Sequence, residues 1–252
     1  MVNFVGAGCG ASDLITIRGA NLLKEADVII YAGSLVNREL LSYAKSDCEI
    51  YNSAYMNLDE VIEVMEKAEK SGKMTVRLHT GDPCLYGAVR EQFDRLDSLG
   101  IDYKVCPGVS SFCGMASSLK AEYTLPDVSQ TVIITRMAGR TPVPESEQIS
   151  KLAVHGSTMI IFLSTGMLEK LSAELIKGGY SPDTPSAIVY KATWDDEKIL
   201  RCKLSELAKT AKANNITKTA LIAVGNFLGD NYSLSKLYDK NFETEFRKCG
   251  LQ

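Results

Sequence analysis

The stretch KMTVRLHTGDPCLYGA, residues 73–88, decides how this chain folds. Apolar residues alternate along 74–78, which predicts a strand, and the strand ends at the turn TGDP, residues 80–83. Gly81 allows a sharp turn of the backbone and the close approach of another molecule. Pro83 forbids further strand pairing and can begin a helix. The stretch therefore predicts a strand that ends in a compact loop.

The carboxylate of Asp82 gives that loop a chemical preference. A carboxylate makes the loop a poor cradle for phosphate, so the loop suits a ligand that carries hydroxyls or positive charge. Asp82 is also a good N-cap residue, and it could simply cap the helix that follows. Both interpretations remain open at this point, and other parts of the chain must decide between them.

Composition narrows the class of protein. The chain has 252 residues, of which 45% are hydrophobic and 23% charged, as in an ordinary globular protein with one large or two medium domains. A net charge of -3 gives no electrostatic reason to expect a nucleic-acid partner. No apolar stretch reaches the roughly 20 residues that span a bilayer. The opening residues MVNFVGAG resemble a first strand more than a signal peptide.

The cysteines and histidines argue against disulfides and metal. Seven cysteines are an odd number, and no two of them form a C-x-x-C pair, which predicts free thiols in a reducing cytoplasm. Two histidines are too few for a zinc site to be expected. The seven are Cys9, Cys48, Cys84, Cys106, Cys113, Cys202 and Cys249.

The first half of the chain alternates strands and helices. Strands are predicted at 2–5, 28–31, 48–51, 74–78 and 103–106. Helices are predicted at 14–26, 40–44, 58–70 and 89–99, and Gly72 and Gly100 follow the last two as stop signals. This alternation predicts an α/β fold whose N-terminal sheet is mostly parallel, with helices on both faces.

The second half reads as another α/β domain. We predict an N-terminal domain at 1–118, a linker at 119–130 and a C-terminal domain at 131–252, with a frayed tail at 243–252. Strands are predicted at 131–135, 158–163, 186–190, 198–202 and 219–224, and helices at 167–177 and 204–213. The strand types differ, which favours a mixed sheet.

Loops rich in glycine and small residues follow many of these strands. Ligands of open α/β sheets bind at the carboxyl ends of strands, near a switch in strand order. Such loops lie at 6–10, 80–87, 107–111, 136–140 and 164–166. Turns alone do not explain this clustering, so we expect a ligand site there.

A dinucleotide site is the first candidate, and the sequence argues against it. Gly6, Gly8 and Ala11 satisfy G-x-G-x-x-[G/A] after a strand. That fingerprint also requires an acidic residue at the end of the next strand, to bind a ribose. The next strand ends in YAG, residues 31–33, and Asp27 lies at its wrong end.

The segment around Arg136 and Arg140 is basic on an acidic chain. It is either a solvated connection stiffened by prolines or a rim that pairs with substrate carboxylates through arginine forks. Lys191, near Trp194, could extend the basic patch. A lone histidine at a strand end is usually packed or capped, so His79 is assigned no role.

Together, the loops resemble those of the tetrapyrrole (precorrin) methyltransferase family. The matching segments are GAGCG at 6–10, TGDPCLYG at 80–87 and PGVSS at 107–111, and the resemblance covers nearly the whole chain in order. Within the family, YAGSLV at 31–36 and TRMAGRTPVPE at 135–145 look like the group that methylates C11 of precorrin-4 in cobalamin biosynthesis. The anaerobic branch of that group acts on the cobalt-loaded substrate.

The resemblance implies a fold, a cofactor and a set of contacts. It implies two α/β domains with a cofactor cleft between them, a cytoplasmic homodimer, S-adenosyl-L-methionine as methyl donor, and precorrin-4 or cobalt-precorrin-4 as substrate. The matching cofactor contacts are Cys9, Thr80, Gly81, Asp82, Ser110, Ser111, Leu163 and Ala192, and Arg136 and Arg140 would bind the acidic arms of the macrocycle. The family's first loop usually has proline where this chain has Cys9, and many relatives have methionine at Leu163.

This chemistry needs little from the protein beyond orientation, which can contribute roughly 7–11 kcal/mol. A sulfonium is already a good leaving group, so the protein need supply neither a nucleophile nor a metal, and no general base is assigned. Other readings are a different precorrin or uroporphyrinogen methyltransferase, a diphthine synthase or a ribosomal-RNA methyltransferase. A non-catalytic nucleoside-binding module is the alternative from another class, and a methyl-transfer assay with labelled cofactor distinguishes it.

Overall fold

The computed structural model describes residues 1–248, which form two compact units. One unit comprises Met1–Met115 together with Lys191–Glu197, and the other comprises Ala116–Tyr190 and the described chain from Lys198 onward. Residues 243–248 form neither helix nor strand. The rest of the tail predicted at 243–252, including Cys249, lies outside the described residues.

The first unit is built on a parallel sheet. Its strands are β1 (Val2–Gly6), β2 (Val28–Tyr31), β3 (Glu49–Asn52), β4 (Thr75–His79) and β5 (Tyr103–Cys106), and its helices are α1 (Ile17–Glu25), α2 (Leu58–Lys70), α3 (Arg90–Leu99) and the start of α4 (Ser111–Leu119). The strand order is β3-β2-β4-β1-β5, and every pairing is parallel. The predicted α/β fold with a parallel N-terminal sheet is confirmed.

The position of β1 in this sheet brings three loops together. β1 pairs with β4 on one side and with β5 on the other. Every residue of β1, β2 and β4 is buried, because apolar clusters cover both faces of the sheet. Since parallel strands end at the same edge, the loops that follow β1, β4 and β5 are neighbours at that edge.

Local signals set the ends of the helices. The predicted helix at 14–26 begins only at Ile17, because the Thr16 side chain accepts a hydrogen bond from the Gly19 N–H (3.0 Å) and caps it there. Asn57 forms a capping box at the start of α2. The short helix predicted at 40–44 is a 3₁₀-helix, Arg38–Tyr43. No helix was predicted at 111–119, where the structure has α4.

The second unit contains a mixed sheet, as predicted. Its strands are β6 (Val132–Arg136), β7 (Thr158–Phe162), β8 (Pro185–Tyr190), β9 (Lys198–Lys203) and β10 (Ala220–Val224), and its complete helices are α5 (Ile149–Leu152), α6 (Leu168–Lys177) and α7 (Leu207–Ala213). The strand order is β6-β7-β10-β8-β9. Only the β6–β7 pair is parallel among these five strands.

Two ionisable side chains of β4 lie in the core of the first unit. The buried guanidinium of Arg77 donates to Gln92 Oε1 and to the Ile30 carbonyl, each at 3.2 Å. Burial lowers the pKa of Arg77 to about 10, so it remains charged at neutral pH. Burial and, to a smaller extent, the charge on Arg77 lower the pKa of His79 to about 3, so its imidazole is neutral.

The neutral His79 predicts a loss of stability in mild acid. The unfolded chain binds a proton near the ordinary histidine pKa of about 6.5, whereas the folded chain does so only near pH 3, so the contribution to stability is complete above pH 6.5 and is lost as the pH falls. We expect this group to cost about 2 kcal/mol of unfolding free energy between pH 7 and pH 5. Urea titrations at both pH values measure the change.

The chain provides its own control for this prediction. The other histidine, His155, is exposed, and His155→Gln is the matched control for replacing an imidazole with an amide. His79→Gln should lose stability less steeply in acid, whatever its stability at pH 7. Equal slopes for His79→Gln and the wild type would show that His79 titrates normally in the folded protein.

Candidate functional site

The carboxyl ends of β1, β4 and β5 meet at three glycines. A Cβ atom built on Gly108 would lie 2.2 Å from the Gly81 carbonyl oxygen and 2.7 Å from Gly6 Cα. A Cβ on Gly6 would lie 2.6 Å from Gly108 Cα. Gly81 also exchanges two backbone hydrogen bonds with Gly8, at 2.8 and 3.3 Å. Backbone therefore packs directly on backbone at this edge, and no side chain fits between the loops.

Asp82 joins two of these loops. Its Oδ2 accepts a hydrogen bond from the Gly108 N–H and its Oδ1 accepts one from the Cys84 N–H, each at 2.8 Å. Burial raises the pKa of Asp82, but the hydrogen bonds from Cys84 and Gly108 outweigh it and hold the pKa below its ordinary value. Because α3 begins only at Arg90, Asp82 caps no α-helix and instead ties the β4 loop to the β5 loop.

The same edge offers several polar groups, one of which has no hydrogen-bond partner in the described chain. The Oγ1 atom of Thr80 is buried and has no hydrogen-bond partner within residues 1–248. Ser110 is buried, and Ser111 begins α4, whose first N–H groups have no partner inside the helix. A Cβ on Gly81 would lie 3.5 Å from the Ser111 nitrogen, so the β4 loop passes beside this helix end. A hydroxyl, amides and a helix N-terminus fit a polar ligand that accepts hydrogen bonds.

The segment Lys191–Glu197 covers the loop that follows β1. The Thr193 hydroxyl accepts a hydrogen bond from the Ala11 N–H (3.1 Å) and donates one to the Cys9 sulfur (3.5 Å). Cys9 is buried, and burial raises the pKa of its thiol. Gly114 leaves room for it, because a Cβ there would lie 2.6 Å from the Cys9 sulfur. Its burial leaves the backbone as the natural contact of Cys9 with a ligand.

The structure divides the residues that the resemblance singled out. Those in the first unit are Cys9, Thr80, Gly81, Asp82, Ser110, Ser111 and Ala192, and those in the second unit are Arg136, Arg140 and Leu163. Leu163 directly follows β7, is exposed, and has a φ of 51°. An apolar side chain that is both exposed and in the left-handed region is unusual, and such strain is concentrated at functional sites.

Arg136 and Arg140 differ in the hydrogen bonds that their guanidinium groups make. The guanidinium of Arg136 donates to the carbonyls of Met137 (3.2 Å), Thr141 (3.2 Å) and Pro142 (2.7 Å), so it braces its own loop. Arg140 is exposed and forms no hydrogen bond or ion pair with other residues of the described chain. Arg140 thus keeps its complete fork of donors for another molecule.

Three supporting residues were missed in the sequence. Thr193 and Gly114 shape the surroundings of Cys9, and the Asn37 side chain donates to the Gly10 carbonyl at 3.1 Å. The available signal was the segment KATW at 191–194, in which Thr193 is adjacent to a residue already singled out. Within residues 1–248, no group of three or more metal-binding side chains is found, and no helix is long and apolar enough to cross a membrane.

Comparison with known proteins gives consistent matches. The family described as Tetrapyrrole (Corrin/Porphyrin) Methylases matches residues 1–208. The chain is 59% identical to the cobalt-precorrin-4 C(11)-methyltransferase of Methanocaldococcus jannaschii, over 98% of this chain and 96% of that protein. It is 43% identical to the precorrin-4 C(11)-methyltransferase of a Sinorhizobium species, over 99% of both.

Two solved structures resemble the structure of this chain. The X-ray structure of a cobalamin biosynthetic enzyme, cobalt precorrin-4 methyltransferase, superposes with a TM-score of 0.89 at 45% identity, covering 91% of this chain and 96% of that one. The uroporphyrin-III C-methyl transferase of Thermus thermophilus, solved with S-adenosylhomocysteine, gives a TM-score of 0.73 at 24% identity, covering 90% and 92%. At 24% identity, the match to the Thermus thermophilus structure shows a similar fold and nothing more.

The tie made by Asp82 can be measured directly. Asp82→Ala removes the acceptor for the Gly108 and Cys84 amides, and we expect it to lower the free energy of unfolding by about 1–3 kcal/mol. Asp82→Asn retains one side-chain acceptor and should fall between this variant and the wild type. Asp13→Ala, at an exposed aspartate of the same unit, is the matched control. An Asp82→Ala protein as stable as that control would contradict the tie.

Proposed function

The chain belongs to the tetrapyrrole (corrin/porphyrin) methylase family, and we propose that it transfers a methyl group from S-adenosylmethionine to C11 of cobalt-precorrin-4 in cobalamin biosynthesis. The observation that carries this proposal is the meeting of the β1, β4 and β5 loops at Gly6, Gly81 and Gly108, beside the unused hydroxyl of Thr80. Relatives and a solved structure at 43–59% identity, named for methylation of precorrin-4 or cobalt-precorrin-4, support the reaction.

We assign the cofactor to the carboxyl edge of the parallel sheet. When bound, S-adenosylmethionine supplies a methyl group on a sulfonium, which needs no further activation. The Thr80 hydroxyl and the polar groups of Ser110 and Ser111, at the start of α4, would hold the cofactor by hydrogen bonds. Asp82 holds the loops in place, and its negative charge lies where it can favour a cationic ligand. The Thermus structure of the same fold was solved with S-adenosylhomocysteine.

The chain's own residues then act by orientation. Rigid backbone at Gly6, Gly81 and Gly108 fixes the loops, so little freedom remains to be lost when the ligands bind. Holding two reactants in line can contribute roughly 7–11 kcal/mol in favourable cases. This role requires no nucleophile.

The identities favour the cobalt-loaded substrate. The Methanocaldococcus relative at 59% identity and the solved structure at 45% are both named for cobalt-precorrin-4, whereas the Sinorhizobium relative at 43% is named for precorrin-4. In this proposal the cobalt arrives within the macrocycle.

We also propose that the enzyme is a cytoplasmic homodimer. Family resemblance supports the dimer, and the six cysteines of the described chain are all free thiols, as expected in a reducing compartment. Light scattering after gel filtration would report twice the 27.5 kDa of one chain for the dimer, and 27.5 kDa would contradict it.

The methylated carbon is the decisive readout for the function. We expect the purified chain to bind S-adenosylhomocysteine in calorimetry, and to place a ¹³C-labelled methyl group at C11 of cobalt-precorrin-4, detected by carbon NMR. Turnover of metal-free precorrin-4 should be slower. Cofactor binding without methyl transfer would support a nucleoside-binding module. Methyl transfer to another carbon would support a different precorrin methyltransferase. No binding at millimolar ligand would reject the cofactor.

We propose that Arg140, and in part Arg136, bind the acidic arms of the macrocycle. Arg140→Ala should raise the KM for the macrocycle about tenfold, the loss expected for one charged hydrogen bond, and leave affinity for S-adenosylhomocysteine unchanged. Arg18→Ala, at an exposed arginine of α1, is the control and should change neither. Weaker cofactor binding with an unchanged KM for the macrocycle would refute this assignment.

A further inference from the structure

We propose that Thr193 is a positioning residue of the cofactor site, whose hydroxyl locks the segment Lys191–Glu197 onto the loop that follows β1. The inference rests on the proposed function, because it concerns the two backbone stretches, at Cys9 and Ala192, that the family resemblance places against the cofactor. The hydroxyl makes two hydrogen bonds: it accepts one from the Ala11 N–H at 3.1 Å and donates one to the Cys9 sulfur at 3.5 Å.

The backbone conformation of Thr193 is the first argument. Thr193 has a φ of 69° and Lys191 a φ of 48°, so left-handed residues flank the buried Ala192 on both sides. A β-branched residue in this region is a genuine outlier, and glycine or asparagine would adopt it with less strain. At Thr193 this strained backbone coincides with a hydroxyl that makes two hydrogen bonds to the first loop.

The rest of the segment is held in a defined shape. The Thr193 N–H donates to Glu197 Oε2 at 2.6 Å, and Lys191 Nζ pairs with Asp196 Oδ2 at 2.6 Å while lying 5.4 Å from the centre of the Trp194 ring. These contacts stiffen the segment internally. The hydroxyl of Thr193 then connects this stiff piece to the first loop.

The packing around Cys9 supports the same role. Its sulfur accepts a hydrogen bond from the Thr193 hydroxyl, and Gly114 leaves the space that this sulfur occupies. A Cβ on Gly10 would lie 2.6 Å from the Ala192 carbonyl oxygen, so the two backbones are already in close contact. A lock at this contact sets the position of both cofactor-facing stretches before the ligand binds.

Three substitutions separate the hydroxyl from the backbone strain. Thr193→Val removes the hydroxyl and keeps the shape, Thr193→Ser keeps the hydroxyl, and Thr193→Gly removes both hydroxyl and strain. Thr219→Val is the matched control, because Thr219 is another threonine with a positive φ (58°) and lies in the second unit.

The first measurement uses the cofactor-free protein. Hydrogen exchange at the Ala11 amide and alkylation of the Cys9 thiol should both be about 3- to 10-fold faster in Thr193→Val, as expected for the loss of a neutral hydrogen bond. Thr193→Ser and Thr219→Val should match the wild type. A Thr193→Val protein with wild-type exchange and alkylation would overturn the lock.

The second measurement is calorimetric titration with S-adenosylhomocysteine. We expect Thr193→Val and Thr193→Gly to bind about 3- to 10-fold more weakly, and Thr193→Ser to bind like the wild type, although Thr193→Gly should melt no lower. Wild-type affinity in Thr193→Gly or Thr193→Val would overturn the positioning role and leave the proposed function intact. A wild-type protein that fails to bind would instead overturn the proposed function.

Discussion

Direct packing of backbone on backbone at Gly6, Gly81 and Gly108 is the constraint on which the site depends. The carbonyl oxygen of Gly81 lies where any side chain on Gly108 would begin, and Gly6 closes the same gap from β1. Such an approach is possible only because β1 lies between β4 and β5 in the sheet. The carboxylate of Asp82 then adds a hydrogen bond across the gap, to the Gly108 amide. The glycines of these loops are thus required by packing before any ligand is considered.

Three residues of the candidate site and its surroundings, Leu163, Thr193 and Thr80, break local rules of backbone conformation or burial. The apolar strands β1, β2 and β10 are buried along their entire length and follow ordinary patterns. By contrast, Leu163 and Thr193 adopt left-handed backbone without being glycine, and Thr80 buries a hydroxyl without a partner in the described chain. Each of these features costs stability, and each is tolerated where the surrounding structure holds it in place. At the edge formed by β1, β4 and β5, the unpartnered hydroxyl of Thr80 supports a binding role, whereas positive φ is also found at Asn215 and Thr219 in the second unit.

Much of the architecture could be predicted, because periodicity and glycine stops are local signals. The run VIIY at 28–31 forms the predicted strand, and the amphipathic pattern at 58–70 forms the predicted helix. The helix α4 was missed, because its sequence SFCGMASSL is rich in small residues and lacks a clear polar face. The membership of Lys191–Glu197 in the first unit could not be anticipated, since the segment lies between two strands of the second sheet. The positive φ of Thr193 could not be predicted, because glycine is the usual sequence signal for this conformation and position 193 is a threonine.

The central claim is that the converging loops after β1, β4 and β5 hold the methyl donor. A crystal structure of the chain with S-adenosylhomocysteine tests it most directly. The ligand should lie against Thr80, Gly81 and the amino end of α4, with the Thr80 hydroxyl donating to or accepting from it. A ligand bound elsewhere, with Thr80 still unpartnered and the three loops unchanged, would contradict the account.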